Sequence, residues 1–100
     1  MSLVPWLRLA APYRDSEVER LKQAGFAELR LQVGSSPLQV SEDLQGIGCS
    51  AMLMIVEDRR KVLTVKVTVV SPDNLAMSTD GFKITPKGQI TPLHTDYYDD

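Results

Sequence analysis

The densest apolar stretch of the chain, residues 51–70, reads Ala-Met-Leu-Met-Ile-Val, then Glu-Asp-Arg-Arg-Lys, then Val-Leu-Thr-Val-Lys-Val-Thr-Val-Val. Two apolar runs around a charged tip predict a hairpin. In the second arm Leu63, Val65, Val67 and Val69 alternate with Thr64, Lys66 and Thr68, the period of two that marks a half-buried strand. The first arm is apolar at every position from Met52 to Val56. Both of its faces therefore need cover, from the rest of the chain or from a partner. Glu57, Asp58, Arg59 and Arg60 make the turn and place charges of both signs at an exposed tip.

Ahead of this hairpin the pattern changes twice. Asp15 and Ser16 offer a helix N-cap, and Ser16 with Glu19 has capping-box spacing. Val18, Leu21 and Ala24 then recur at a spacing of three, and Gly25 supplies a left-handed stop. This predicts a helix over residues 16–24, too short to stand without a sheet to dock on. Pro5 and Pro12 bracket Trp6 to Leu9 and disfavour a helix across them. Residues 6–9 are expected as a short strand or extended arm, with Trp6 anchoring it to its own core or to a neighbouring subunit. From residue 27 to 33, Ala27, Leu29, Leu31 and Val33 alternate with Glu28, Arg30 and Gln32, which predicts another half-buried strand. A turn at 34–37, a short strand at 38–40 and a polar loop at 41–48 follow.

After residue 70, Ser71-Pro-Asp-Asn breaks the sheet. Asp80-Gly81 is among the strongest short hairpin signals, because a type I′ turn needs positive φ at both central residues. It predicts a hairpin with arms at 75–79 and 82–85. Pro86-Lys87-Gly88 predicts a second tight turn, and Pro92 ends the meander.

The fold expected is α+β and mainly β. It is a mostly antiparallel, meander-like sheet of five to seven strands with one short N-terminal helix on one face. A small β-sandwich or barrel is the alternative. The expected core is Leu21, Phe26, Leu29, Leu31, Leu53, Ile55, Leu63, Val65, Val67 and Ile84. One hundred residues fit one domain, taken as 1–95, followed by an acidic tail at 96–100 with no apolar periodicity.

Charge and composition narrow the chemistry. Eleven basic and thirteen acidic residues nearly balance, so no bulk field draws the whole chain to nucleic acid or to an anionic membrane. No run reaches the roughly 18 apolar residues of a membrane span. The N-terminus lacks the order of a signal peptide, because Pro5 and Arg8 interrupt its apolar stretch. Cys49 is the only cysteine; it is expected as a small buried side chain, and a cytoplasmic location is expected.

Catalytic signatures are missing. His94 is the only histidine and lies beside the tail, and Cys49 is far from it in sequence, so neither a nucleophile with its base nor a transition-metal ligand set is indicated. Glu42-Asp43 and Glu57-Asp58 fall in a loop and a turn, where carboxylates stay solvated. No glycine-rich phosphate loop occurs. No cofactor or metal is expected, and an enzyme ranks last.

Two binding readings remain. The first is a small non-catalytic protein-interaction module, a subunit, adaptor or inhibitor. It would be a homodimer or bind another protein through a sheet face or edge, with Trp6, Met52, Met54 and Val56 at the interface. The alternative is a nucleic-acid-binding accessory protein. Residues 59–87 carry six cations, Arg59, Arg60, Lys61, Lys66, Lys83 and Lys87, against two acids, Asp73 and Asp80. Hairpins with these cations suit a phosphate backbone, although Phe82 is the only ring in that stretch. Lysine on a sheet edge also serves solubility. A chain of this kind is compatible with a phage or mobile-element accessory protein or with a bacterial domain.

Overall fold

The computed structural model describes residues 4–40, 49–71 and 77–93, with only the backbone described at 4–7 and 9. The loop expected at 41–48, most of the break after residue 70, and everything from His94 onward lie outside the described residues. So do Glu42, Asp43, Asp73 and the tail acids Asp96, Asp99 and Asp100.

The central hairpin forms as its pattern dictates. Strand β2 spans Ser50–Glu57 and β3 spans Leu63–Val70, paired antiparallel from Ser50↔Val70 to Glu57↔Leu63. Strand β1, Gly34–Leu38, pairs with β2; β4, Met77–Ile84, pairs with β3; β5, Ile90–Pro92, pairs with β4. The result is an open five-stranded antiparallel meander in the order β1-β2-β3-β4-β5. Helix α1, Val4–Ala24, and a short second helix α2, Phe26–Arg30, lie against one face of it.

The inner face holds the core. Leu53 and Ile55 from β2, Leu63, Val65 and Val67 from β3, and Phe82 and Ile84 from β4 close over Val18, Leu21 and Leu29. A second cluster joins Ala10, Cys49, Ala51 and Val69, with Tyr13, Leu38 and Val40 packed on it. Ala10, Val18 and Leu21 fall on one stripe of α1, and Arg14, on the same stripe, hydrogen-bonds the Ser78 hydroxyl on β4. A small residue at Ala10 lets the helix approach the sheet closely. The Tyr13 hydroxyl donates to the carbonyl of Gln39 at 3.1 Å. Burial first, and the Glu17 carboxylate second, push its pKa above the ordinary tyrosine value. Cys49 is buried.

Several expectations need correction; the first is the N-cap expected at Asp15 and Ser16, which lie inside α1 because the helix starts at Val4, not at residue 16. Residues 6–9, with Trp6, belong to α1 rather than to an arm, and the Trp6 side chain lies outside those described. The prolines do not stop the helix for a positional reason. Pro5 falls in the first turn, where the amide it lacks has no intrahelical partner to lose. Pro12 forfeits only the bond to the carbonyl four residues back, and it sits on the exposed side of a helix held by contacts before and after it.

Residues 27–33 are not a strand. Gly25, at φ 86°, turns the chain into α2, and Leu29 alone of the alternating set is buried, whereas Leu31 is 83% exposed. The expected turn at 34–37 is instead the body of β1, and the short strand expected at 38–40 is reduced to Leu38 at its end.

Asp80-Gly81 is not a turn either: β4 runs straight through it, paired with β3 over eight residues. Local turn preference loses here to a full ladder of cross-strand pairs. Eight of the ten expected core residues are buried. Phe26 is half-buried against the core and Leu31 is outside it, while Val18 and Phe82 join it.

Both hairpin tips share one geometry. In residues 58–62 the Asp58 amide donates to the Val62 carbonyl and the Lys61 amide to the Asp58 carbonyl, each at 3.0 Å. In residues 85–89 the Thr85 amide donates to the Gln89 carbonyl at 3.0 Å and the Gly88 amide to the Thr85 carbonyl at 2.8 Å. The first side chain of each loop accepts from the backbone: Asp58 Oδ1 from Arg60 and Val62, Thr85 Oγ1 from Gln89. The fourth position is left-handed in both, Gly88 at φ 86° and Lys61 at φ 64°. Glycine suits that conformation, and a β-carbon there costs about 1 kcal/mol. Lys61→Gly is therefore expected to stabilise the protein by about 1 kcal/mol, read as a higher denaturation midpoint at unchanged m-value. A lower midpoint would mean that Lys61 makes a contact worth more than its strain.

Candidate functional site

The outer face of the sheet follows directly from the register. Met52, Met54 and Val56 on β2 point away from the helices and are 46%, 39% and 52% exposed. Their neighbours across β3 are Thr68, Lys66 and Thr64, and across β4 the rows continue with Thr79, Gly81 and Lys83. Val70 and the exposed Met77 make one further row, and Ser35 and Pro37 of β1 flank Met54 and Met52. The Thr68 and Thr79 hydroxyls bond one another at 2.8 Å across the β3–β4 pair. The molecule is 18 Å thick at its narrowest, room for a sheet and one helical layer. Among the described residues nothing covers Met52, Met54 and Val56. Among the described residues, the helices cover one face of the first arm, and Met52, Met54 and Val56 on the other face are exposed.

The two edges are less inviting. Pro37 lies within β1 and has no amide to offer, and β5 is three residues long and ends in Pro92. Proline and brevity on edge strands block the addition of another strand.

A cationic band lies at one end of the same sheet. The meander brings the β2–β3 tip and the β4–β5 tip to the same end, because Leu63 pairs with Ile84 beside both loops. Arg59, Arg60 and Lys61 occupy one tip and Lys87 the other, all exposed. Lys83 and Lys66 descend from them along the outer face, Lys83 exposed and Lys66 half-buried. The structure thus gathers all six sequence-proposed cations on one end and one face.

The acids nearby are already engaged. Glu57 pairs with Arg30 at 3.0 Å, and Asp58 accepts two amides of its own turn. In the helical layer Arg14, Arg20 and Lys22 pair with Asp15, Glu17 and Glu19. Among the described residues no carboxylate forms an ion pair with Arg59, Arg60, Lys61, Lys66, Lys83 or Lys87.

Sequence reading missed Met77 and Val70 as outer-face residues, and missed Arg30 as the partner of Glu57. The first two could be found by alternation once the β3–β4 register is known. Arg30 lies 27 residues from Glu57 and has no local signal.

Among the described residues no three side chains of His, Cys, Asp or Glu gather within reach of one metal ion. No described helix is long and apolar enough to cross a membrane. No protein-family model, curated protein or solved structure matches the chain.

Proposed function

We propose that the protein is a small interaction module that binds a second copy of itself through the outer face of the sheet, centred on β2. One observation carries this reading: the row Met52, Met54, Val56 stands exposed on a central strand, while both sheet edges are closed by proline or shortness. Methionine is over-used at adaptable binding surfaces because it is unbranched and polarizable. At about 4.8 Å between strands and 3.3 Å per residue, the five-stranded face spans roughly 500 Å² in projection. That approaches the roughly 800 Å² of accessible surface each partner gives up in a standard interface. A twofold axis near Met54 sets the three β2 side chains against their copies. The long stems of Lys66 and Lys83 then cover the rim and keep their ammonium groups in water. The lone buried thiol of Cys49 fits a cytoplasmic setting.

Sedimentation velocity from roughly 1 to 500 μM is the test. The wild type is expected to shift from monomer to dimer across that range. Met54→Asp is expected to stay monomeric and folded, because Lys66 lies directly opposite and offsets the new charge when the face is open. A wild type that remains strictly monomeric at the top of the range overturns the reading.

A further inference from the structure

Lys66 and Lys83 line the rim of the self-association just described, whereas Arg59, Arg60, Lys61 and Lys87, at the two hairpin tips, have no part in it. Four observations set them apart. The topology gathers them: two tips on strands that are separate in sequence come to one end, about 10 Å apart at two strand spacings of about 4.8 Å. They are unspent: among the described residues, Arg14, Arg20, Lys22 and Arg30 have carboxylate partners and these six do not. The acids nearest in sequence, Glu57 and Asp58, are held by Arg30 and by the turn amides. The chain also keeps a cation where backbone geometry favours glycine, Lys61 at φ 64° against Gly88 at φ 86° in the matching loop.

We propose that this end of the sheet binds the phosphate backbone of double-stranded nucleic acid without reading its sequence. A separation of about 10 Å between tips matches about three base steps of about 3.4 Å along a duplex axis. Arg59, Arg60 and Lys61 contact phosphates from one tip and Lys87 from the other. Described aromatic rings are absent from this surface: Phe82 is buried, and Tyr13 and Phe26 pack on the core of the opposite face. Among the described residues, stacking on unpaired bases has no platform here. The duplex, with its higher charge density, is the favoured partner.

Fluorescence anisotropy with a labelled mixed-sequence duplex of about 20 base pairs tests this at salt from 25 to 300 mM. Duplex DNA and duplex RNA of matched length show which backbone fits; unlabelled single strands and poly-glutamate serve as competitors. For three or four phosphate contacts the slope of log K against log salt is about −3. Arg59→Glu with Arg60→Glu and Lys87→Glu, all at exposed tips, is expected to lower affinity more than tenfold at an unchanged melting temperature. Lys61→Gly separates structure from binding: it should raise the melting temperature while reducing the slope by about one unit.

Absence of duplex binding at 25 mM salt overturns the proposal, as does binding untouched by the triple charge reversal. Displacement of the duplex by poly-glutamate as readily as by unlabelled duplex would reassign the surface to an acidic protein. Because none of these variants alters Met52, Met54 or Val56, failure here leaves the self-association reading to its own test.

Discussion

Val65→Asp is expected to leave the protein unfolded at neutral pH. Val65 is fully buried at the middle of β3, the middle strand of the sheet, under the helical layer. An aspartate there would lie in a cluster of buried apolar side chains that includes Ile55, Leu63, Val67 and Phe82. It either stays charged in an apolar surround or takes up a proton. With an ordinary carboxyl pKa near 3.9, protonation at pH 7 alone costs about 4 kcal/mol, at about 1.4 kcal/mol per pH unit. Losing the buried valine adds about 2 kcal/mol. The sum is comparable to the whole stability of a small domain, on the order of 5–10 kcal/mol. Far-UV circular dichroism and amide dispersion in NMR report the loss. Lys66→Asp, one residue along and on the outer face, should fold. A soluble Val65→Asp variant with a normal melt would mean that the wrong face of β3 has been placed inside.

Gly81→Ala should be the most damaging single-methyl change in the sheet. A β-carbon at residue 81 would overlap the backbone carbonyl of Val65 on the neighbouring strand and come within 3.1 Å of the Leu93 Cδ1. The strands cannot part without giving up ladder bonds, so a destabilisation of about 3 kcal/mol is expected. Gly88→Ala is the reference. Its β-carbon would meet open space, and only the left-handed φ is unfavourable, which costs about 1 kcal/mol. Urea denaturation of the two variants separates the causes. Equal costs would indicate that Gly81 serves as a turn residue, as the Asp-Gly pair suggests on its own.

That contrast shows what the chain reveals locally and what it does not. The β2–β3 hairpin is legible because its signal spans twenty residues and its two arms agree with the ladder they form. Asp80-Gly81 misleads because turn preference is a two-residue signal, whereas β4 is held by eight cross-strand pairs. The glycine is there for close approach, a requirement imposed by Val65, which lies sixteen residues earlier. The alternation at 27–33 misleads for a related reason. Phe26 and Leu29, three apart, also fit a turn of helix, and burial of Leu29 beside exposed Leu31 shows which period won. In α1 the apolar stripe is interrupted by Arg14, whose contact with Ser78 is polar, so the helix reads as shorter than it is.

The candidate surfaces divide in the same way. Exposure of Met52, Met54 and Val56 follows from an arm that is apolar on both faces and, among the described residues, has one helical layer, on the opposite face. The cation band is visible in the composition of residues 59–87, but its division between two adjacent tips comes from the meander. The pairing of Glu57 with Arg30, which leaves the band without that counter-charge, is a tertiary fact.

The central claim is that the outer face is open in one chain and covered by a second copy. Methyl-labelled methionine NMR with a soluble paramagnetic probe reads this directly, since Met52, Met54 and Met77 all lie on that face. The prediction is strong broadening of the Met52 and Met54 methyls in dilute protein, giving way to protection as concentration rises. Methyls protected even at high dilution would mean that the chain covers its own face, and methyls exposed at every concentration would mean that no second copy binds there.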